Sequence, residues 1–249
     1  MIVSTSFAQN PPLKIGVSRY SPPFVIQGGN NHFYGFDISM MNEICAMIQR
    51  DCQYYPMHFD ELLDAVVSKK VTVAVSSIII TAERSQIVNF SLPYLPSKSR
   101  FLARADLASQ KFSWQLLNDK RIGVSRGSVF YAEIQKMNLK NPDIVFYETD
   151  EEIIEALNEA KIELTLMDSP TAVYWESHSS GSLKILGEPI TYGYGLGIAV
   201  NREEGPLLKA INQALLNYQK SHDFTKNYNI YLDELNLDPV STPNVKILE

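Results

Sequence analysis

The sequence has no cluster of charge of one sign, few histidines and cysteines, and no long apolar run. Its 249 residues hold 22 Lys and Arg against 28 Asp and Glu, with four His and two Cys. The lack of a basic cluster excludes an electrostatic footprint for nucleic acid or an anionic membrane. No stretch approaches the roughly 18 apolar residues that span a bilayer, and so few Cys and His argue against a metal site. We expect a protein that handles a small molecule, as an enzyme or a binder, with no metal or cofactor.

The composition is that of a folded protein. A hydrophobic fraction of 45% and a charged fraction of 20% exclude the disordered and collagen-like classes. The length suits one large domain or two lobes, each able to bury a core.

We assign neither end of the chain to the folded lobes. The Ser6-Phe7-Ala8 segment has the small-x-small form of a signal-peptidase site, without the charged and apolar regions that normally precede it. We interpret residues 1–11 as the remnant of a secretory signal. The alternative is the irregular start of a cytoplasmic protein. Residues 241–249 are treated as a C-terminal tail.

Strand and helix patterns alternate along the chain, which is typical of β-α-β units around a mostly parallel sheet. The pattern also repeats. Lys14–Ser18 (KIGVS) returns as Arg121–Ser125 (RIGVS), and Asp60–Ala65 (DELLDA) returns as Glu151–Ala156 (EEIIEA). A chance match of generic units is the alternative, but the repeat favours two lobes built on one plan.

Four polar residues follow predicted strands, two in each lobe: Ser18, Ser77, Ser125 and Asp168. Ligands of open α/β sheets bind outside the carboxyl ends of the strands. Two facing lobes would therefore present these residues to one cleft, the usual place for a small polar ligand.

Arg84 and Asp168 are the charged residues that could bind a ligand. Thr81 is a possible N-cap, which places Arg84 in a first helical turn, where the helix dipole disfavours a cation without an anionic partner. A guanidinium there can bind a ligand carboxylate through two parallel hydrogen bonds; an exposed ion pair with Glu83 or Asp60 is the alternative. Asp168 is either a simple N-cap or the acceptor for a ligand ammonium group.

The ordered motifs resemble the periplasmic amino-acid-binding proteins of ABC importers, from about Pro12 to Leu235. These motifs are Tyr20-Ser-Pro-Pro-Phe24, Gly35-Phe36-Asp37, Ser76-Ser77 with Thr81-x-x-Arg84, Asn89-Phe-Ser-x-Pro-Tyr94, Gly123-Val-x-x-Gly-Ser128, Asp168, and Tyr194-Gly-Leu-Gly-Ile-Ala-Val200.

The resemblance implies two α/β lobes, 12–97 with 196–240 and 98–195, with mixed, mostly parallel sheets. Two hinge strands would join them near Ser97–Arg104 and Ile190–Ile198. Spacing alone leaves Cys45 and Cys52 open between a disulfide and two free thiols. Resemblance to the histidine-, lysine/arginine/ornithine- and arginine-binding branch implies the disulfide, which also fits a periplasmic location.

The resemblance also implies a ligand site. The family's carboxylate clamp falls on Arg84, with backbone help from Ile79 and Val129, and its ammonium site falls on Asp168, with Ser77 and the Ile79 carbonyl. The residues that would line the side-chain part are Ser76, Ser125, Ser128 and Tyr20. Members of the branch often carry an acidic residue where this chain has Ser18-Arg19, a polar residue at Ile79, and Thr-Gln at Val129-Phe130, so the part that binds a cationic side chain looks altered.

The expected function is that of a monomeric, non-catalytic receptor. It would bind a free L-amino acid, with arginine or another basic amino acid as the first choice, close like a hinge, and deliver the ligand to a membrane permease. One alternative is a secreted cyclohexadienyl (prephenate/arogenate) dehydratase of the same fold, which would need a general acid in the cleft. Another is the sensor domain of a kinase or channel.

Overall fold

A computed structural model describes residues 10–232 of the chain. The signal-remnant prediction falls mainly on residues 1–9, and the C-terminal tail prediction on 241–249, both outside the described residues. None of the helices within 10–232 is long and apolar enough to cross a membrane.

The first lobe is built on a five-stranded sheet in the order β5-β1-β6-β13-β7. Its strands are β1 (Leu13–Ser18), β5 (Cys52–Met57), β6 (Val73–Ala74), β7 (Asn89–Phe90) and β13 (Ala199–Val200). β1 pairs in parallel with β5 and β6, whereas β13 pairs antiparallel with β6 and β7. β1 is buried at every residue except Lys14, as expected for a strand covered on both faces. A small antiparallel sheet follows β1 and consists of β2 (Tyr20–Ser21), β3 (Val25–Gln27) and β4 (Phe33–Tyr34).

The second lobe repeats this plan in the order β10-β9-β11-β8-β12. Its strands are β8 (Lys98–Arg104), β9 (Arg121–Ser125), β10 (Asp143–Tyr147), β11 (Leu164–Asp168) and β12 (Leu183–Thr191). β9 lies in parallel between β10 and β11, and β8 pairs antiparallel with β11 and β12. The two copies of the repeated pentapeptide thus form β1 and β9, each between two parallel strands. The prediction of two similar α/β lobes is confirmed.

Eight α-helices accompany the two sheets within residues 10–232. They are α1 (Phe36–Met47), α2 (Leu62–Val67), α3 (Ala105–Ala108), α4 (Phe130–Lys136), α5 (Asp150–Asn158), α6 (Ser169–His178), α7 (Gly205–Tyr218) and α8 (His222–Tyr231). The repeated acidic segments form α5 and, in the first lobe, α2 with the 3₁₀ turn (Phe59–Glu61) that precedes it. α5 begins at a capping box in which Thr149 accepts the N–H of Glu152, a pattern that satisfies free N–H groups at a helix start.

The sheets are more mixed than predicted. Each has two parallel and two antiparallel pairings, because strands that enter after a crossing between the lobes run against their neighbours. The predicted hinge at Ser97–Arg104 is also too long. Residues 99–104 pair with β11 on one side and β12 on the other, so this stretch is held inside the second sheet.

The chain crosses between the sheets at Leu95–Lys98 and again between Thr191 and Leu196. The Ser97 hydroxyl donates to the carbonyl of Tyr192 and accepts the N–H of Gly195, the latter at 3.2 Å. These bonds tie the two crossings together. The exact lobe boundaries, 12–97 with 196–240 and 98–195, remain predictions.

Cys45 and Cys52 form a disulfide, with 5.9 Å between their Cα atoms. It joins the last turns of α1 to the first residue of β5. The predicted pairing is confirmed. Because β5 points its other end, Met57, toward the cleft, the bridge lies at the end of the sheet remote from the candidate site.

Candidate functional site

Side-chain hydrogen bonds cross the cleft between the carboxyl ends of the two sheets. Ser77 Oγ donates to Asp168 Oδ2 at 2.9 Å, Arg84 Nη2 donates to the Gly127 carbonyl at 2.9 Å, and Ser21 Oγ donates to Asp150 Oδ2 at 3.1 Å. The structure therefore shows the lobes closed on one another. Ser77 and Asp168, which the sequence analysis placed at strand ends facing one cleft, meet directly.

Asp168 ends β11 and is the N-cap residue of α6, but its side chain does not cap that helix. One carboxylate oxygen accepts from Ser77. The other, Oδ1, is buried and has no hydrogen-bond partner among residues 10–232. Burial, with a smaller contribution from Asp150, raises the pKa of Asp168 to about 7, against the lowering effects of the Ser77 hydrogen bond and of Arg84. A buried acceptor oxygen without a partner is costly, so this carboxylate is suited to a cationic donor.

Arg84 lies on the opposite lobe at the start of a short turn. The Thr81 hydroxyl accepts the N–H of Arg84 at 3.2 Å, the bond expected of an N-cap, but the element is a 3₁₀ turn of three residues whose N-cap position is Glu83 and not Thr81. Arg84 Nη1 donates to the Ile79 carbonyl at 2.8 Å, and its guanidinium carbon lies 5.7 Å from the ring centre of Phe59. Burial lowers its pKa to about 10, so the group stays charged near pH 7.

Asp37 holds Ser77 in place and was not among the predicted site residues. Ser77 has a positive φ of 46°, which is uncommon for a residue with a side chain. Asp37 Oδ2 accepts the N–H of Ser77 at 2.8 Å and the hydroxyl of Tyr94 at 3.0 Å. Asp37 is fully buried, and burial raises its pKa to about 7 against the lowering effect of both bonds. In the sequence it appeared only within the Gly35-Phe36-Asp37 motif, without a role, and it lies in the first turn of α1.

The turn after β9 brings the second lobe toward Arg84. Gly127 has a φ of +73°, and a Cβ added there would lie 2.6 Å from Cα of Asp60 in the other lobe. Val129 directly precedes α4 and is half-buried. The Ser128 hydroxyl is buried without a partner among the described residues. The predicted Ser128 and Val129 thus stand at a close approach of the lobes.

Ser76 is bonded to another strand-end residue. It is fully buried, accepts the N–H of Ser18 at 3.2 Å, and forms a second bond between the two hydroxyls. Ser76 therefore holds Ser18 in place. Like Ser77, Arg84 and Asp168, it is not among the residues that line the cavity described next.

A small cavity of about 30 Å³ lies next to these contacts, between the lobes. Its volume is far below the roughly 300–1,000 Å³ of small-molecule sites, so a ligand could enter only if the closed lobes moved apart. Residues from both lobes line it: Ser18, Tyr20, Ser21 and Phe59 from the first, and Ser125, Thr149 and Asp150 from the second. Tyr20 also packs against Trp175 of the second lobe, with ring centres 6.3 Å apart.

Of the cavity residues named here, Phe59, Thr149 and Asp150 were not singled out in the sequence, and Ser21 appeared only inside the Tyr20-Ser-Pro-Pro-Phe24 motif. Ser18 and Ser125 were predicted because they lie at the carboxyl ends of strands. The same rule, applied to β5 and β10, selects the segments after Met57 and Tyr147, which contain Phe59 and Asp150. Within residues 10–232, no group of three or more His, Cys, Asp or Glu side chains is arranged to hold a metal ion.

Comparisons with known proteins agree with this architecture. Residues 13–234 match the model of the bacterial extracellular solute-binding proteins, family 3. The chain is 30% identical over 237 residues to ABC transporter arginine-binding protein 1 of Escherichia coli (strain K12), a match that covers 90% of this chain and 95% of the relative.

Two solved structures are similar over most of the chain. An arginine transport system periplasmic binding protein from Legionella pneumophila superposes with a TM-score of 0.83 and 32% identity, over 89% of this chain and all of that one. An ancestral arginine-binding protein bound to arginine gives a TM-score of 0.81 and 27% identity, over 90% of this chain and 99% of that one. The chain therefore belongs to the bacterial extracellular solute-binding proteins of family 3.

Proposed function

We propose that this chain is the substrate-binding component of an amino-acid ABC importer. It binds a free L-amino acid between its lobes, with arginine or another basic amino acid as the first choice. The observation that carries the proposal is that the charged Arg84 lies on one lobe, while the other lobe carries Asp168, whose Oδ1 has no hydrogen-bond partner among residues 10–232.

Opposite charges on opposite lobes match the two charged ends of an α-amino acid. In this proposal Arg84 binds the α-carboxylate, assisted by backbone groups at Ile79 and Val129, and Asp168 accepts the α-ammonium group together with Ser77. A guanidinium and a carboxylate both form strong charge-assisted hydrogen bonds. Since neither lobe carries both partners, the complete grip exists only when the lobes are closed.

In this proposal, ligand binding shifts the equilibrium between an open and a closed arrangement of the lobes toward the closed one. A ligand can favour the closed arrangement only by as much as it binds that arrangement more tightly. Arg84 already spans the cleft by its bond to the Gly127 carbonyl, and Ser77 spans it by its bond to Asp168. A bound amino acid would add its own contacts to both lobes, and a membrane permease would recognise the closed form.

The relatives support the remaining parts of the proposal. Those named above are described as binding proteins, and two of them as parts of transporters or transport systems. We infer a periplasmic location and an ABC permease partner from that family membership. The Cys45–Cys52 disulfide supports an oxidising compartment.

A dehydratase is the less favoured function. Glu176, the acidic residue two helical turns after Asp168, accepts the N–H of Ile185 at 3.1 Å and lies 3.7 Å from the Lys184 ammonium. It is therefore bound to β12. Prephenate carries two carboxylates, and a cleft that presents Asp150 and Asp168 would repel one of them.

A thermal-shift screen tests the proposal. The protein is unfolded and refolded to remove any co-purified ligand, then heated with each of the twenty amino acids, ornithine, citrulline or prephenate. A ligand at 100 times its dissociation constant adds about 2.7 kcal/mol of stability, which is several degrees. A rise with one or more amino acids is the expected result. No response to any amino acid, or a response to prephenate with turnover, would overturn the receptor proposal.

A further inference from the structure

We propose that Asp150 is the acceptor for the cationic end of the ligand side chain, and that it makes the cleft selective for basic L-amino acids. This inference rests on the proposed function and identifies the residue that sets its substrate class.

Asp150 is held in the cavity wall by the start of α5. Thr149 and Glu152 form the capping box that fixes the first turn, and Asp150 is the first residue of that helix. Its Oδ2 accepts the hydroxyl of Ser21 from the other lobe at 3.1 Å. The side chain is half-buried, and burial raises its pKa to about 7. A cation beside it would offset this loss of hydration.

The order of the strands sets the distance between Asp150 and the amino-acid clamp. Asp168 lies at the end of β11, Ser125 at the end of β9, and Asp150 just beyond β10. Neighbouring strands are about 4.8 Å apart, so two steps across the sheet separate the carboxylates by roughly 10 Å. Asp150 is also near enough to Asp168 to raise the pKa of that carboxyl.

An extended basic side chain fits this separation. Extended chains advance about 1.2 Å per bond, and six bonds join the α-nitrogen to the guanidinium carbon of arginine or to the terminal nitrogen of lysine. The span is therefore about 7 Å, and a hydrogen bond of about 2.8 Å at each end extends the reach to roughly 12 Å. Side chains as short as those of alanine or serine do not reach Asp150.

The rest of the cavity suits a cation with a long apolar stem. The Tyr20 and Phe59 rings line it, and aromatic faces attract cationic groups. The nearby Glu148 is already paired with Arg126 at 2.6 Å. Arg19 also lines the cavity but is exposed at its rim. Asp150 is thus the lining carboxylate that a ligand cation would meet.

The test compares arginine with citrulline, which has the same shape but a neutral end. Calorimetry on refolded, ligand-free wild-type protein is expected to give a dissociation constant at least about 30-fold lower for arginine. In Asp150→Asn, arginine and lysine should bind about 30-fold or more weakly, while citrulline changes less than about threefold. Glu151→Gln is the matched control, since it removes the neighbouring exposed charge and should leave arginine binding within about threefold.

Each result decides the proposal. Equal wild-type affinity for arginine and citrulline would overturn it even if Asp150→Asn failed to fold. So would an unchanged arginine affinity in the folded variant, or an equal loss of both ligands. In all three cases the receptor function would stand, because wild-type protein would still bind an amino acid; only a wild-type protein that binds no amino acid would overturn that function.

Discussion

Replacing Arg84 with alanine tests the carboxylate clamp. Its guanidinium is anchored by the carbonyls of Ile79 and Gly127 at 2.8 and 2.9 Å, and it keeps its charge because its pKa falls only to about 10. Removing one partner of a buried charge pair costs about 3–5 kcal/mol. At 1.4 kcal/mol per factor of ten, amino-acid affinity should fall roughly 150- to 4,000-fold.

Replacing Arg84 with lysine tests whether carboxylate binding needs only a positive charge or also the two parallel donors of a guanidinium. Arg84→Lys keeps a cation but loses the two parallel donors, so it forgoes about one charge-assisted hydrogen bond, worth roughly 1.5–3 kcal/mol. Its affinity should fall about 10- to 100-fold, between wild type and alanine.

The assay is calorimetry with the amino acid that gives the largest thermal shift, on variants with cooperative melting. Arg202→Ala is the matched control. Arg202 is exposed and donates to the Ser85 carbonyl on the same turn at 3.0 Å, so its loss should change affinity less than about threefold. A folded Arg84→Ala protein with near-normal affinity would show that the carboxylate binds elsewhere.

Three further predictions concern closure, stability and pH. Gly127→Ala should weaken binding at least about tenfold, because its Cβ would clash with Asp60 across the cleft. Gly181→Ala is the control, since Gly181 also has a positive φ but open space around it, and it should not weaken binding. Equal effects of the two substitutions in calorimetry would show that the clash does not control binding. Removing the Cys45–Cys52 disulfide should cost about 2.5 kcal/mol for so short a loop, lowering the melting temperature by roughly 5–10 °C without altering affinity, and an affinity loss would contradict its placement far from the cleft. Because the pKa of Asp168 is raised to about 7 and a bound ammonium group requires its ionised form, affinity for citrulline, whose neutral end does not need ionised Asp150, should rise about tenfold per unit from pH 5 to 6 and level off above pH 8; titration calorimetry showing no rise would argue against that role.

The sequence predicted the centre of the cleft well because backbone periodicity determines it. Strand-helix alternation locates the carboxyl ends of β1, β9 and β11, and these ends carry Ser18, Ser125 and Asp168. The capping pattern at Thr81 likewise locates Arg84. Such inferences need only local signals and the general rule about where open sheets bind ligands.

Other features depend on contacts between distant segments, which local patterns do not encode. The burial of Asp37 beneath Ser77 joins α1 to the segment after β6, and the Ser18–Ser76 bond joins the end of β1 to that same segment. The antiparallel strands depend on where the chain crosses between the lobes. Asp150 was within reach of the strand-end rule, but its separation from Asp168 depends on the position of β10 at the outer edge of the second sheet.

The most direct measurement of the central claim uses three forms of one ligand on refolded wild-type protein. Arginine carries both α-groups, agmatine lacks the α-carboxylate, and 5-guanidinopentanoate lacks the α-ammonium group. If Arg84 and Asp168 each hold one end, calorimetry should show that both analogues bind at least about 30-fold more weakly than arginine. An analogue that binds as tightly as arginine would contradict the account, since one of the two charged residues would then make no contribution to recognition.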